Sequence, residues 1–200
     1  MPSRRATYEL RIIGGRWRSR RLAFPAVPGL RPTPDRVRET LFNWLAPTIS
    51  GARCLDLFAG SGALGLEALS RGAAETVFVE QDRRAIKTLH SNLHALQAAA
   101  DVHHSEALSW LATQGASGLQ RFDLILLDPP FGHNLLTLTC QHLTHYGWPP
   151  VTGGLVYLES ERDGLLQLPE GWQIVREKFA GAVSYRLIEA SATQSVAKAI

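Results

Sequence analysis

The sequence contains only two cysteines and no apolar run long enough to cross a membrane. Cys54 and Cys140 lie far apart in apolar surroundings, so we expect neither a disulfide framework nor a cysteine metal cluster, and a reducing, cytoplasmic location fits best. The amino terminus includes Arg4, Arg5 and Glu9 with no apolar run behind them, which argues against a secretion signal. The 200 residues are 45% hydrophobic and 20% charged, a composition that excludes intrinsic disorder and suits one globular domain.

Acidic residues are scarce at the amino end of the chain. Residues 1–38 hold ten arginines against Glu9 and Asp35, a local charge of +8, whereas the rest of the chain, with 11 basic and 16 acidic side chains, carries −5. A polyanionic partner responds to this local field rather than to the total of +3. The arginines are interleaved with Trp17 and Phe24, a mixture that suits RNA, whose phosphates attract guanidinium groups and whose unpaired bases stack on aromatic rings.

We therefore predict a basic, RNA-binding extension over residues 1–32. Its segments 12–15 and 22–25 are typical of the strands of a β-hairpin, which favours an ordered arm over a solvated charged segment. The candidate RNA-binding residues are Arg11, Arg16, Trp17, Arg18, Arg20, Arg31 and Arg36.

Short apolar strands alternate with helices in the rest of the chain. Thr33, Pro34 and Asp35 predict a helix start, with Thr33 as the cap, Pro34 at the first position and Asp35 against the helix dipole. The predicted strands are 53–58, 76–80, 102–105, 122–128, 155–159, 173–179 and 183–189, and the predicted helices between them are 62–71, 83–98, 106–114 and 134–146.

This alternation predicts an α/β fold with a mostly parallel, seven-stranded sheet and helices on both of its faces, because βαβ crossovers are right-handed. The last two strands form a hairpin that would add antiparallel strands at the sheet edge. We assign the domain to residues 33–190 and expect residues 191–200 to be a flexible tail.

A glycine-rich turn follows the first strand of this domain. Gly60, Gly62 and Gly65 have the spacing G-x-G-x-x-G between a strand and a helix, where backbone approaches a ligand closely. Glu80 ends the second strand, and a carboxylate there can accept hydrogen bonds from both ribose hydroxyls of a nucleoside. The pattern favours a nucleotide-type ligand, although tight strand-to-helix turns are also glycine-rich for packing reasons.

Asp56, just before this turn, separates two classes of ligand. Its carboxylate would repel the pyrophosphate of a nicotinamide dinucleotide, which disfavours an oxidoreductase. It suits the ammonium and sulfonium groups of S-adenosylmethionine. Asp101 and Glu106 are weaker candidates for contacts with adenine, and a surface role explains them equally well.

The strand 122–128 runs into Asp128-Pro129-Pro130-Phe131. Two prolines fix the backbone, so the carbonyl groups of Asp128 and Pro129 point in defined directions. Such acceptors can take the two N–H bonds of an exocyclic amine on a base, while Phe131 stacks on the ring. The alternative is a strand end capped by a Pro-Pro turn. The position of the motif at the carboxyl end of a strand favours catalysis by Asp128, Pro129, Pro130 and Phe131.

At these residues the chain resembles the Rossmann-like class I S-adenosylmethionine-dependent methyltransferases, in which Asp-Pro-Pro-Phe is a form of the amino-methylating motif. Segments 11–18, 29–33, 35–45 and 56–65 are similar to the bacterial RsmD family, and the resemblance covers about residues 10–189. It implies methylation of guanine N2 in 16S ribosomal RNA, at the position that the family's name gives as 966. It also implies S-adenosylmethionine as the cofactor. The candidate cofactor-binding residues are Asp56, Phe58, Ala59, Gly60, Gly62, Glu80, Gln81, Glu106 and Ala107.

The resemblance further implies a substrate within an assembled or assembling small ribosomal subunit, and we expect a monomer that uses no metal. His90 and His94 share a helix face, and His103 adjoins His104, but no third ligand has suitable spacing, so surface histidines explain them. Two alternatives stay open. One is the same chemistry on adenine N6 of DNA or on another amine, and the other is a non-catalytic RNA-binding factor in ribosome assembly.

Overall fold

Strands and helices alternate along the chain as the sequence predicts. The computed structural model describes residues 7–25, 33–115, 122–130, 134–148, 154–164 and 166–190. The helices are α1 Asp35–Trp44, α2 Ala63–Ser70, α3 Arg83–Leu96, α4 Ala107–Gly115 and α5 Leu135–His145. The strands are β1 Thr7–Arg11, β2 Arg21–Pro25, β3 Arg53–Asp56, β4 Glu75–Glu80, β5 Asp101–His104, β6 Leu124–Leu127, β7 Gly154–Glu161, β8 Gln173–Ala180 and β9 Val183–Ala190. The division into extension, domain and tail stays a prediction, because residues 26–32 and 191–200 lie outside the described ranges.

Seven of the strands form one sheet in the order β5-β4-β3-β6-β7-β9-β8. The first five of these run parallel, whereas β9 pairs antiparallel with both β7 and β8. The predicted, mostly parallel sheet with an antiparallel hairpin at its edge is confirmed. The chain order reverses between β3 and β6, and open α/β sheets bind ligands beyond the carboxyl ends of the strands at such a point.

Helices cover both faces of this sheet, as predicted. Successive side chains of a strand point to opposite faces. Leu55 of β3 packs in a cluster with Leu111 of α4 and Leu143 of α5. Its neighbour Cys54 packs in a second cluster with Leu41 of α1, and α2 and α3 lie on that same face. Among the described helices, none has the length and apolar character needed to span a bilayer.

The basic amino-terminal segment forms the predicted β-hairpin. β1 and β2 pair antiparallel, with Arg11 opposite Arg21. Residues 12–15 lie beyond β1 rather than within the strand, because the chain turns there into a short 3-10 helix, Gly15–Trp17. The hairpin rests on the body of the protein, where Asn92 of α3 donates to the carbonyl of Ala23 at 3.3 Å.

A buried carboxylate fastens this hairpin to α2. Glu67 has no exposed surface, and it accepts hydrogen bonds from the backbone N–H groups of Ile13 and Gly14 at 2.8 Å each. Its oxygens also accept from Arg71 Nε at 2.8 Å and from Arg38 Nη1 at 3.4 Å. A buried charge is costly unless it is paired and hydrogen-bonded, so these donors must assemble around Glu67 when the chain folds.

Arg38 of α1 connects the same carboxylate to two further segments. Its side chain is 1% exposed and donates to the carbonyl groups of Arg11 at 2.8 Å and of Thr33 at 3.2 Å. It also pairs with Asp35 at 2.6 Å. The hairpin, the start of α1 and the middle of α2 therefore share one buried charge network. Sequence analysis did not anticipate this network, because charged residues in a helix ordinarily indicate its exposed face.

The predicted cap of α1 is wrong by one residue. Pro34, not Thr33, occupies the N-cap; its carbonyl accepts from the N–H of Val37 at 2.9 Å, and the helix begins at Asp35. The Thr33 hydroxyl instead donates to Asp128 Oδ2 at 3.1 Å. The fold brings the Asp128 carboxylate, a strong charge-assisted acceptor, within reach of the Thr33 hydroxyl, and Thr33 lies one residue too early to cap the helix.

We expect Glu67→Ala to lower the free energy of unfolding by about 3–5 kcal/mol, since the Arg38 guanidinium loses its buried partner. Urea unfolding followed by circular dichroism measures the loss. The matched control is Glu75→Ala, which breaks an ion pair with Arg53 in which both side chains are more than a third exposed. The control should lose at most about 1 kcal/mol. Equal losses in the two variants would contradict the importance of the buried network.

Candidate functional site

Three carboxylates lie on one face at the carboxyl edge of the sheet. Asp56 of β3 is in register with Leu126 of β6, and Leu126 is in register with Tyr157 of β7. Residues two apart in a strand point to the same face. Asp128 and Glu159, each two residues further along, therefore join Asp56 on the face that α1 and α2 cover.

Asp56 is buried at the base of the glycine-rich turn. Its side chain accepts the N–H of Gly65 at 2.9 Å. Burial raises the pKa of Asp56 to about 7; the Gly65 hydrogen bond opposes this rise, and the charges of Asp128 and Glu80 add to it. The carboxyl group therefore changes its charge near neutral pH, and a bound cation would favour its ionised form.

The turn itself brings backbone close to the sheet edge. Gly62 has a φ of +85°, a conformation that favours glycine, and a Cβ on Gly65 would lie 2.3 Å from the ring of Phe78. Glycine at both positions therefore lets α2 start directly above the strand ends. Ser61 is 2% exposed, and its hydroxyl has no hydrogen-bond partner in the part of the chain that the structure describes.

Glu80, at the end of β4, holds this turn in place. It is 8% exposed, and it accepts the N–H of Gly60 on Oε2 and the N–H of Asp82 on Oε1, both at 2.7 Å. Ala59, beside Gly60, is buried and donates its N–H to the carbonyl of Val79 at 3.0 Å. A carboxylate has about four lone-pair sites, so Glu80 keeps capacity for the hydroxyl groups of a ligand.

The other predicted cofactor residues lie beside the turn and at the start of α4. Phe58 is partly buried against the core, and Ala107 is buried within it. Gln81 is exposed, and its carbonyl oxygen lies 3.1 Å from Nε2 of His104. These residues follow β3, β4 and β5, three neighbouring strands, so they line one continuous edge.

Glu106 acts as the cap of α4. Its carboxylate accepts the N–H groups of Leu108 at 3.0 Å and of Ser109 at 2.8 Å. Burial raises the pKa of Glu106, but these hydrogen bonds outweigh burial, so its pKa is lowered overall. The ionised side chain is thus committed to the helix start, and a contact with adenine would have to use its remaining lone pairs.

Asp128 follows β6 directly and lies near Asp56. The burial of its carboxyl group raises the pKa of Asp128 to about 6, against the opposing effect of the hydrogen bond from Thr33. Pro129 is buried and Pro130 is exposed. Phe131, the fourth residue of the predicted catalytic motif, lies outside the described residues.

Glu159, on the neighbouring strand β7, is 4% exposed. The hydroxyl of Tyr157, a residue with no exposed surface, donates to Glu159 Oε1 at 2.7 Å. Burial raises the pKa of Glu159 to about 8; the charge of Asp128 adds to this rise, and hydrogen bonds with Tyr157 and Thr33 oppose it. The site therefore contains a second buried acid beside the predicted catalytic one.

The predicted RNA-binding arginines at the turn of the hairpin are exposed, whereas Trp17 is partly buried against the cluster that contains Leu69 and Leu89. The Arg16 guanidinium lies 4.0 Å from the ring centroid of Trp17, a cation–π contact. Arg18 is exposed, and Arg20 donates to the carbonyl of Ala95 at the end of α3 at 2.8 Å while it remains exposed. Arginine and tryptophan thus form one surface that can meet both phosphates and bases.

The remaining predicted RNA-binding residues differ in their surroundings. Arg11 is 57% exposed but pairs with Asp35 at 2.8 Å, so part of its charge is used within the protein. Arg36 is exposed on α1. Arg31 lies outside the described residues.

Comparison with known proteins identifies relatives along almost the whole chain. The model of a family described as conserved hypothetical protein 95 matches residues 10–189. The chain is 50% identical over 193 residues to ribosomal RNA small subunit methyltransferase D of Escherichia coli strain K12, which covers 96% of this chain and 95% of the relative. The chain belongs to the RsmD family of methyltransferases.

Two further comparisons agree with this membership. The chain is 44% identical over 184 residues to ribosomal RNA small subunit methyltransferase D of Haemophilus influenzae, covering 90% of this chain and 94% of the relative. A solved structure of a putative methyltransferase from Escherichia coli has 47% identity and a TM-score of 0.83, covering 93% of this chain and 100% of that one. The Rossmann-like class I fold predicted for this RsmD-family methyltransferase is confirmed.

Sequence analysis of this RsmD-family methyltransferase missed Thr33, Tyr157 and Glu159 as residues of the site. Thr33 was assigned to a helix cap, and Glu159 was only part of a predicted strand. The position of Glu159 near the end of the strand that follows β6 in the sheet could have indicated that it belongs to the site. It becomes informative once the sheet order puts β7 beside β6.

We expect Asp56→Asn to stabilise the free protein, most strongly above pH 7. The pKa of Asp56 is about 7 in the folded protein against an ordinary 3.8, so its contribution to stability is complete below pH 4 and is lost as the pH rises to 7. The neutral Asn avoids this loss and keeps an oxygen for Gly65. At about 1.4 kcal/mol for each pKa unit, the expected gain is up to about 4 kcal/mol at pH 8 and about zero near pH 4.

Urea unfolding between pH 4 and pH 8 measures this gain. The matched control is Asp101→Asn, an exposed acid on β5 of the same sheet. A gain for Asp56→Asn that is the same at every pH, or that Asp101→Asn reproduces, would contradict the assignment of a buried, ionising carboxyl group.

Proposed function

We propose that this methyltransferase transfers a methyl group from S-adenosylmethionine to N2 of a guanine in 16S ribosomal RNA, at the position that the family's name gives as 966. One observation carries the proposal. Asp128 and Pro129, the predicted acceptors of the amine, follow a strand that is the direct neighbour of the strand bearing Asp56 and the glycine-rich turn. Donor and acceptor sites therefore share one short stretch of the sheet edge.

The residues of the turn fit the proposed cofactor. When bound, S-adenosylmethionine supplies an electrophilic methyl group on a cationic sulfur. Asp56 and Glu80 provide negative charge for its cationic and hydroxyl groups, and the unpartnered hydroxyl of Ser61 offers a further polar contact. The candidate cofactor-binding residues remain Asp56, Phe58, Ala59, Gly60, Gly62, Glu80, Gln81, Glu106 and Ala107.

The residues of the Asp-Pro-Pro-Phe motif fit an exocyclic amine. The lone pair of such an amine is delocalised into the base, so acceptors for its N–H bonds help the nitrogen to become pyramidal. We assign these acceptors to the Asp128 carboxylate and the Pro129 carbonyl, and we assign the stacking of guanine to Phe131. As N2 bonds to the methyl carbon, the bond between that carbon and sulfur would break and leave its electron pair on sulfur. One N–H bond of N2 then breaks, its electron pair stays on N2, and Asp128 takes the proton.

The hairpin supplies the RNA contacts in this proposal. Its exposed cations follow the order Arg16, Arg18, Arg20 around the turn, and the partly exposed Trp17, which carries the Arg16 guanidinium on its ring, lies among them for contact with an unpaired base. A guanine in a loop needs less unstacking than one in a duplex. The substrate we propose is therefore 16S rRNA in an assembled or assembling small subunit, on which the enzyme acts as a cytoplasmic monomer.

The first test is Asp128→Ala. We expect turnover to fall by about 100-fold or more, because an acceptor for the reacting amine is lost, while the affinity for S-adenosylmethionine stays within a few-fold. Single-turnover methylation of small subunits measures the rate, and calorimetry measures cofactor binding. The matched control is Glu189→Ala, which changes an exposed acid on β9 in register with Leu155, at the opposite end of β7 from the site, and it should leave both unchanged. Normal turnover of Asp128→Ala would remove Asp128 from the mechanism.

The second test replaces Arg16, Arg18 and Arg20 together by Ala. Each phosphate contact contributes about 0.7–0.9 to the slope of log affinity against log salt, so we expect weaker RNA binding and a slope reduced by about 2. The control replaces Arg176 and Lys178, exposed on β8 at the far sheet edge, by Ala. An unchanged salt slope in the hairpin variant would mean that the hairpin does not touch phosphate.

Mapping of the methylated nucleotide distinguishes the proposed substrate from its alternatives. The wild-type protein is incubated with labelled S-adenosylmethionine and unmethylated small subunits, naked 16S rRNA or DNA, and the label is located by nuclease digestion and mass spectrometry. Label on one guanine N2 of 16S rRNA supports the proposal. Label on adenine of DNA would favour the alternative amino methyltransferase, and RNA binding without any label would favour the non-catalytic assembly factor.

A further inference from the structure

A chain of four polar side chains crosses the site from β7 to the start of α1. The Tyr157 hydroxyl donates to Glu159 Oε1 at 2.7 Å, and the Thr33 hydroxyl donates to Asp128 Oδ2 at 3.1 Å. The Thr33 hydroxyl also interacts with the Glu159 carboxyl group. Thr33 therefore bridges the two acids, Asp128 and Glu159.

The hydroxyl and carboxyl groups of these four side chains have only a few hydrogens to share among their hydrogen bonds. A threonine hydroxyl has one hydrogen to donate, and Thr33 gives it to Asp128. While the hydroxyl donates to Asp128, its contact with Glu159 lacks a hydrogen unless the Glu159 carboxyl group is protonated; if the hydroxyl turns to Glu159 instead, it favours the ionised form of that acid. With a proton on Glu159, its Oε1 accepts from Tyr157, its second oxygen donates to Thr33, and every member of the chain has a partner.

Burial and the negative charge of Asp128 on β6 favour the neutral form of Glu159, and they outweigh the hydrogen bond from Tyr157 on its own strand, which favours the ionised form. On β9, the residue in register with Glu159 is Tyr185. On α1, the Arg38 guanidinium donates to the Thr33 carbonyl and to Glu67 on α2.

We propose that Glu159 is a positioning residue for methyl transfer, which carries a proton at neutral pH and, through Thr33, keeps Asp128 ionised and oriented toward the reacting amine. This inference rests on the proposed function for its catalytic part. Two carboxyl groups this close do not both ionise readily, so the proton on Glu159 leaves Asp128 as the acceptor. The proton released from N2 goes to Asp128 and then to solvent, and Glu159 keeps its own proton throughout.

The electrostatics of the two acids agree with this assignment. Burial raises the pKa of both acids, and the negative charge of Asp128 raises that of Glu159 further, to about 8 against about 6 for Asp128. Glu159, the more deeply buried of the two, is therefore the acid that keeps its proton as the pH rises. As the pH rises above about 8, Glu159 loses its proton and the donor to Thr33 disappears.

The pair of variants Glu159→Gln and Glu159→Ala tests the catalytic part. Gln keeps a neutral donor and an acceptor, so we expect kcat within about 3-fold of the wild type, whereas Ala should lower kcat by about 10-fold or more with KM for S-adenosylmethionine unchanged. The fall in kcat above pH 8 should also be absent in Glu159→Gln. The control, Glu161→Gln, changes an exposed acid on the same strand and should keep the wild-type pH profile.

The opposite pattern would overturn the inference. If Glu159→Gln is as slow as Glu159→Ala, the ionised carboxylate is required and the assignment of a proton is wrong. If Glu159→Gln keeps the wild-type fall above pH 8, another group causes that fall. Circular dichroism of each variant distinguishes loss of the fold from a lower rate. Glu159→Gln is the decisive variant, because glutamine has nearly the same shape as glutamate.

A second measurement needs no substrate. Carbon-13 NMR of the labelled carboxyl groups of the free protein follows the ionisation of Asp128 and Glu159 directly, with Glu159→Gln used to assign the signals. We expect Asp128 to ionise first as the pH rises and Glu159 to be neutral at pH 7. The reverse order would overturn the inference. If this order is found but guanine N2 is not labelled, the proposed function fails and the proton on Glu159 stands.

Discussion

The buried pair of Arg38 and Glu67 is the interaction on which the arrangement of this protein depends. Glu67 holds the backbone of the amino-terminal hairpin, and Arg38 holds the carbonyl groups of Arg11 and Thr33. Burial of two charges is favourable only when their hydrogen bonds are all made. The amino-terminal hairpin and the start of α1 are therefore fixed together, and Thr33 reaches Asp128 from a defined direction.

The site holds several carboxyl groups in buried positions, where water solvates a negative charge poorly. Asp56, Asp128 and Glu159 are crowded on one face of the sheet edge, and burial raises the pKa of each. This arrangement costs stability in the free protein, and a cationic cofactor would offset that cost when it binds. Two carboxyl groups so close do not both ionise readily. In our proposal the proton stays on Glu159, which leaves Asp128 free to accept hydrogen bonds.

Much of the fold and part of the site could be predicted from local patterns. The glycine spacing, Asp56 and the Asp-Pro-Pro-Phe motif indicate chemistry without knowledge of the fold, because each residue acts within a few positions of its neighbours in the chain. The cap of α1 was predicted wrongly because Thr33 is a good cap by type, yet its partner Asp128 is distant in sequence. Glu67 resembled an ordinary helix surface residue, because its partners Ile13 and Gly14 come from another segment.

The amino-acid sequence alone was enough to predict the α/β class, the position of the glycine-rich turn, the motif at Asp128 and the separation of charge between a basic arm and an acidic body. These follow from periodicity, spacing and composition, which act locally. Only the tertiary structure decided that Glu159 lies beside Asp128, that Thr33 bridges them, and that Arg38 and Glu67 are buried together. The physical reason is that pairing of β6 with β7 and packing of α1 against α2 join residues far apart in the chain. Burial then changes what an acid can do, and burial is a property of the folded surroundings rather than of the residue.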